Sequence, residues 1–452
     1  MGVVAAVAVV AVSCQALTSK HGSNPAANGQ SPPPGATGAT GTSGAPGVTG
    51  TSGTSTAPTT APSPSPTSVA KISVTPGGGG AARPDHGLAI AVSDGTLTKV
   101  VAKSEGGGEA DPGPVEGALN GDKTEWHSTW ALTTATAYSV TATAVDANGL
   151  ETSVTKHFRT LAPTEDFRTV IFEGYHKTYG VGMPIILNFD RDIEDKAAVE
   201  RSLTLTTSKP VVGAWYWDGD RTLMFRPRGY WPADTTVSFV GHLDGVRSGP
   251  GVFGVHTLTQ QFHIGRSLIA VASTQTHHMQ VYLDKKLMGD WPISAGKPGD
   301  ETPIDTYLTI TKANPEEMIG EDYDIMVPWS VRFTWSGSFV HAAPWSVSEQ
   351  GRINVSHGCV NLPPDKAQVY YQLEDPGDPV TVVGSIKAGE WDNGWTIWFL
   401  SWKDLLDGTG TGQAVKAGPH GSQFVAPGSL HLSPLKSPLQ GPKVGNSDPV
   451  SA

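Results

Sequence analysis

No charged residue stands between Lys20 and Lys71, and within that run of Gly, Ser, Thr, Pro and Ala the only aliphatic side chains larger than alanine are Val48 and Val69. A segment so poor in apolar surface cannot offset the entropy of ordering its backbone, so it forms no layer of a packed fold. The stretch from Gly408 to Ala452 has a similar Gly/Ser/Pro character and reads as a second, C-terminal disordered tail. These two ends hold 17 of the 54 Gly and 15 of the 35 Pro in 452 residues. What remains is roughly 340 residues, enough for two or three domains and too many for a single small one. Setting aside Lys20, Lys416, Lys436, Lys443 and Asp448, the chain's 31 basic and 42 acidic residues leave 27 and 41 between 71 and 407, a net of -14. That balance argues against a nucleic-acid partner.

Residues 2 to 12 are continuously apolar, but a run of 11 is too short for a hydrocarbon core that needs about 17 to 25 residues. It fits the h-region of an export signal, read as residues 1–17. Ala11-Val12-Ser13-Cys14 follows it, with small residues before a cysteine as in a bacterial lipobox, where the cysteine becomes lipidated. Cys14 is therefore the expected lipidation site and anchor to the membrane, with an ordinary cleaved signal as the alternative. The other cysteine is Cys359. An exported chain with one unpaired thiol holds it either buried and inert or as a reactive group, and spacing alone leaves both open.

After the linker (18–69), residues 70–162 carry short Val/Thr/Ala-rich runs between turn signals. The clearest is Tyr138 to Val145, then Asp146-Ala147-Asn148-Gly149, then Glu151 to Phe158. Alternation on both sides of Asn-Gly predicts an antiparallel hairpin. With Trp126 and Trp130 as core candidates, a β-sandwich of immunoglobulin type fits. Residues 163–264 repeat the style with strand-sized runs about ten residues apart, predicting a second sandwich. From 265 to 386 the pattern stays β-rich with one helix, opened by Pro363-Pro364-Asp365, carrying Ala367, Tyr370, Tyr371 and Leu373 on its apolar face, and stopped by Pro376-Gly377. Trp391, Trp395, Trp398 and Trp402 crowd residues 387–407, a subdomain expected to dock on a neighbouring domain. The fold class is mainly β: two immunoglobulin-like sandwiches, a β-rich third domain, the Trp-rich subdomain and the tail 408–452.

Chemistry concentrates in Phe339 to Ser346 and in Asn354 to Asn361. A thiol attacks as thiolate, so it needs a base within reach and donors for the oxyanion it creates. His341 lies 18 residues before Cys359 and His357 two before it. Gly358 lets the backbone approach a substrate closely. Two histidines beside the sulfur predict a thiolate pKa below that of a free thiol. Zinc ligation by His341, His357 and Cys359 is the competing reading, but the CxxC and HExxH spacings of known sites are missing. His277-His278 has no ligand partner at metal spacing and reads as a solvated turn.

Ser356-His357-Gly358-Cys359-Val360-Asn361, with His341 upstream, resembles the signature of the L,D-transpeptidases, whose YkuD-type catalytic domain is β-rich with a cysteine nucleophile. Further matches run through residues 265 to 384: Ser294-Ala295-Gly296-Lys297-Pro298-Gly299, Thr302-Pro303, Ser336-Gly337 and Pro376-Gly377-Asp378-Pro379-Val380. The layout of lipobox, linker, two immunoglobulin-like domains and catalytic domain is similar to actinobacterial members. Asp305 stands where the family usually has Gly. The resemblance implies Cys359 as nucleophile and His341 as base, oriented by a backbone carbonyl. It implies oxyanion donors near Gly358 and Cys359, with Ser356, His357 and Asn361 shaping the loop. Tyr323, and Met318 beside it, fall on an active-site flap spanning Asn314 to Arg332. It implies no metal or organic cofactor. The implied partners are peptidoglycan stem peptides, with carbapenem β-lactams as covalent inhibitors, and the implied reaction is 3→3 cross-linking through a thioester with release of D-Ala from a tetrapeptide. A cell-wall peptide hydrolase, a protein-to-peptidoglycan linking enzyme and a non-catalytic wall-binding lipoprotein are the alternatives. The expected location is the outer face of the cytoplasmic membrane and the cell wall.

Overall fold

The computed structural model describes residues 66–106, 113–320 and 323–441; the expected signal, the Cys14 site and nearly all of the linker lie outside the described residues. Among the described residues no helix is long and apolar enough to cross a membrane. The fold is mainly β, as the alternating runs require. In the first sandwich, a sheet ordered Lys71–Thr75, Ala89–Ser93, Glu125–Ser128, Gly117–Leu119 faces one ordered Ala81–Ala82, Glu151–Thr160, Ala137–Val145, Thr96–Ser104. The Asn-Gly hairpin forms as expected, Ala137–Val145 against Glu151–Thr160. Its turn is held by the Asp146 carboxylate, which accepts from the Asn148 and Leu150 N–H groups at 2.8 and 3.0 Å. Every second residue from Tyr138 to Ala144 points into the core. Trp126 is in that core, but Trp130 is not: it stacks on His242 of the second sandwich at 3.9 Å and 8°.

The second sandwich sets a four-stranded sheet (Thr178–Tyr179, Thr257–Ile264, Thr235–His242, Leu203–Thr207) against a six-stranded one whose last two members come from the far end of the chain. Ala414–Gly418 pairs antiparallel with Val211–Asp218, and Gly421–Val425 pairs outside it. This corrects the tail expected from Gly408 for residues 408–441; residues 442–452 lie outside the described residues. The physical reason is local. Ala414, Val415 and Ala417 are buried against the sandwich, and the strand covers an otherwise unpaired sheet edge. Ahead of it, the buried Glu200 carboxylate accepts from the Gly410 N–H, the Thr411 N–H and hydroxyl, and Trp217 Nε1. The Trp-rich segment docks on the same domain. Trp398 is buried, with its ring 4.7 Å from that of Tyr230 and 4.4 Å from the Arg226 guanidinium, and its Nε1 donates to the Gly182 carbonyl at 2.7 Å.

The third domain holds the motif. A five-stranded sheet runs Lys286–Pro292, His278–Leu283, Leu268–Ser273, Pro379–Val383, Asp305–Leu308, and a four-stranded one Thr311–Ala313, Ser330–Arg332, Phe339–Ala342, Val360–Leu362. The predicted helix is Pro364–Leu373, with Ala367 and Tyr370 buried. The second sandwich is stitched to this domain by Gly180 and Gly182, whose N–H groups donate to the Pro376 and Gly377 carbonyls at 2.8 and 3.0 Å. A Cβ on Gly180 would fall 2.2 Å from the Asp378 nitrogen, so only glycine permits that approach.

Asp305 keeps a glycine-like backbone at φ 123°. Its Oδ1 accepts the Thr306 N–H at 2.8 Å, and burial raises its carboxyl pKa. Such a conformation costs a side-chain-bearing residue of order 1–3 kcal/mol, against the 0.5–1 kcal/mol entropy cost of glycine. Asp305→Gly is therefore expected to stabilise the domain by about 1 kcal/mol, read as a melting temperature higher by a few degrees. An unchanged or lower value would show that the Thr306 contact outweighs the strain.

Candidate active site

Strand alternation builds the site. Phe339–Ala342 and Val360–Leu362 run parallel with Val340 opposite Val360, His341 opposite Asn361 and Ala342 opposite Leu362. Val340, Ala342, Val360 and Leu362 belong to the domain core. Their neighbours His341 and Asn361 therefore share the other face. Cys359 is the residue just before the second strand.

The loop that presents Cys359 is tightly bonded. Ser356 Oγ donates to the Cys359 carbonyl at 2.6 Å and accepts the Gly358 N–H at 3.3 Å. Thr302 Oγ1 reaches the same carbonyl at 3.5 Å and accepts the Gly296 N–H at 2.9 Å. Gly358 sits at φ 111°, a conformation that favours glycine. The Cys359 thiol is half-buried and points at the Gly337 carbonyl, 3.8 Å away, on the Ser336-Gly337 turn.

His341 is 3% exposed, and its Nδ1 lies 2.9 Å from the Ala342 carbonyl. A carbonyl only accepts, so Nδ1 carries the proton and Nε2 is left with its lone pair. Burial lowers the ring's pKa to about 4, against the opposing pull of that hydrogen bond. Burial also pushes the Cys359 thiol up to about 11, against smaller opposing effects of the Phe339 N–H and the Arg332 charge. This corrects the expected low thiolate pKa. At rest the thiol is neutral and the His341 imidazole is neutral, each held so by burial. His341 is too well buried to be charged, and His357 Nε2 is occupied by the Lys297 ammonium at 2.7 Å.

His357 is on the outer side of the loop, its ring 5.1 Å from that of Tyr323. Tyr323 lies in the turn of the hairpin formed by Glu316–Ile319 and Asp324–Val327, within the segment expected to be a flap. Met318 lies on that hairpin's first strand opposite Ile325. Asn361 is 2% exposed and donates through Nδ2 to Ser346 Oγ at 3.0 Å, while its Oδ1 is buried without a partner. Trp345 places its ring 5.9 Å from that of His341 and is itself exposed. The pair His277-His278 is not simply solvated: His277 Nδ1 lies 2.9 Å from Asn354 Oδ1, which also accepts the Ala295 N–H at 3.0 Å.

Several supporting residues carried no assigned role in the sequence. Ser294 is fully buried; its Oγ donates to the Ile353 carbonyl and accepts the Val355 N–H. Thr302 bridges the Gly296 turn to the Cys359 loop. Their membership in the matched motifs was the available signal. Arg332 had none, since its effect on the sulfur depends on strand pairing with Phe339.

Comparison with known proteins gives two family matches: a bacterial Ig domain over residues 80–247, which takes in parts of both sandwiches, and an L,D-transpeptidase catalytic domain over residues 267–382. The chain is 31% identical to L,D-transpeptidase 2 of Mycobacterium tuberculosis over 70% of its own length and 80% of that protein's. It is 33% identical to L,D-transpeptidase 5 of the same organism, covering 70% and 71%. A solved LD transpeptidase in complex with imipenem is 34% identical, covers 49% of this chain and 100% of its own, and superposes with a TM-score of 0.42. With its immunoglobulin-like domains and its catalytic domain both matched, the chain belongs to the L,D-transpeptidase family and is an acyl-transferring enzyme.

Proposed function

We propose that the enzyme forms 3→3 cross-links in peptidoglycan through a Cys359 thioester. The observation that supports this most directly is the Nδ1 bond of His341 to the Ala342 carbonyl, which leaves Nε2 as an acceptor on the face it shares with Asn361. In the first half-reaction His341 Nε2 takes the thiol proton as the sulfur attacks the carbonyl of the third stem residue. The C–N bond then breaks, and the proton passes from His341 to the departing amine of D-Ala. In the second, His341 removes a proton from the side-chain amine of another stem as that amine attacks the thioester. The thiol leaves and regains its proton. Backbone N–H groups around Gly358 and Cys359 hold the oxyanion, and Tyr323 with Met318 covers the donor from the flap.

By the same chemistry Cys359 opens the strained ring of carbapenems, in line with a relative solved with imipenem. The signal and Cys14 fit an exported, lipid-anchored enzyme.

Incubation with a disaccharide tetrapeptide tests the reading. The expected product has the mass of two stems less one D-Ala. Hydrolysed tripeptide alone would make the enzyme a hydrolase, and no turnover would favour a non-catalytic wall protein.

A further inference from the structure

Lys297 belongs to a motif that the reaction as written leaves without a role, and its surroundings give it one. Its N–H donates to the Ser356 carbonyl at 2.9 Å, and Asp300 N–H closes the turn onto the Lys297 carbonyl at 2.9 Å. Gly296 bridges Ser356 across the same junction. The Lys297 turn is thus fixed to the loop that carries Cys359. Its ammonium lies 2.7 Å from His357 Nε2 and 3.3 Å from the Asp300 carboxylate, with the flap's Tyr323 ring against the same histidine. The side chain is 38% exposed, so it lines the rim rather than the core.

The donor makes a demand near the sulfur. When the carbonyl of the third residue sits at the sulfur, the carboxylate of the departing D-Ala lies one Cα beyond the scissile nitrogen, roughly 4–5 Å from the attacked carbon. The chain between 71 and 407 is net negative, as counted above, and repels an anionic stem. A local cation would offset that repulsion and give the carboxylate a charge-assisted hydrogen bond. Arg332 also acts on Cys359, but its guanidinium is engaged by Glu316 at 3.7 Å, the Trp335 carbonyl at 3.2 Å and the Phe339 ring at 4.8 Å. Lys297 has three donors, one of them directed at His357 Nε2. Its ion pair with Asp300 is solvent-exposed, the kind that contributes little and exchanges readily.

From this geometry we infer that Lys297 reads the free terminal carboxylate of the donor stem. It thereby selects a tetrapeptide over a stem whose fourth residue continues through an amide. The inference rests on the transpeptidase reading above. The ammonium stays on His357 and trades Asp300 for the substrate.

The test compares two donors, the disaccharide tetrapeptide with a free D-Ala carboxylate and the same compound ending in D-alaninamide. Wild-type enzyme is expected to prefer the free acid by at least tenfold in kcat/KM. Lys297→Gln is expected to reduce that preference to within about twofold, chiefly by raising KM for the acid, and Lys297→Arg to keep most of it. A variant that merely loosens the loop would slow both donors alike, leaving the ratio intact, and that result would overturn the inference. So would a wild-type enzyme that uses both donors equally. A wild-type enzyme that processes neither donor overturns the transpeptidase reading, and this inference with it.

Discussion

Replacing Cys359 with alanine is expected to abolish cross-linking and, in the same protein, the mass increase produced by a carbapenem. The effect is total because no other described group at the site can form the acyl bond. His341 is buried with its proton on the carbonyl side, and Ser356 Oγ is committed to the Cys359 carbonyl. The fold should be indifferent to the change. The thiol's contact with Gly337 is weak at 3.8 Å, and the loop is held by Ser356 and Thr302 through the backbone of residue 359, which alanine keeps. An unchanged melting temperature with no adduct on intact mass is the expected pair of results. A carbapenem adduct that survives in Cys359→Ala would remove the cysteine from the mechanism. In wild-type protein, alkylation by iodoacetamide is expected to be slow at neutral pH and to climb toward the thiol's value of about 11.

That last expectation reverses the one drawn from sequence, and the reason is instructive. Two histidines near a cysteine in the chain suggest a thiolate–imidazolium pair, but proximity in sequence says nothing of burial. The strand register turns His341 into a nearly closed pocket, while Lys297, 60 residues upstream, occupies His357. The C-terminal return shows the same limit. Ala414, Val415 and Ala417 are three small apolar residues in a Gly-rich segment, and their partner strand begins 203 residues earlier, with Ala417 opposite Val211. No local pattern reports such a pairing, since its stability comes from the exposed edge it covers. By contrast, the Asn148-Gly149 hairpin and the Pro364–Leu373 helix carry their own signals in turn chemistry and periodicity, and both form where those signals stand. Cys359 could be singled out because it stands in the contiguous run Ser356 to Asn361, and His341 and Tyr323 because their spacing from that run resembles the family's. The roles of Ser294, Thr302 and Arg332 were not, because each acts on a backbone or charge far away in sequence.

His341→Gln is expected to slow acylation by about 10²–10⁴-fold. Glutamine can still donate to the Ala342 carbonyl but offers no basic nitrogen to the thiol. The wild-type rate of carbapenem acylation should be level between about pH 5 and 10, because the base titrates near 4 and the thiol near 11. Attack must then carry the proton across as the C–S bond forms. A rate that rises with a midpoint between pH 6 and 7 would instead indicate an imidazole of ordinary basicity. Stability gives a second readout. The folded ring titrates near 4 and the unfolded one near 6.5, so between these values the unfolded chain binds more protons. The contribution of the neutral buried ring is complete above pH 6.5 and is lost as pH falls to about 4, amounting to about 3 kcal/mol. His341→Gln removes this group, so its melting temperature should decline less steeply than that of the wild type across that window. Parallel declines would mean that the ring is charged in the folded enzyme, and the neutral-pair mechanism would fail with it.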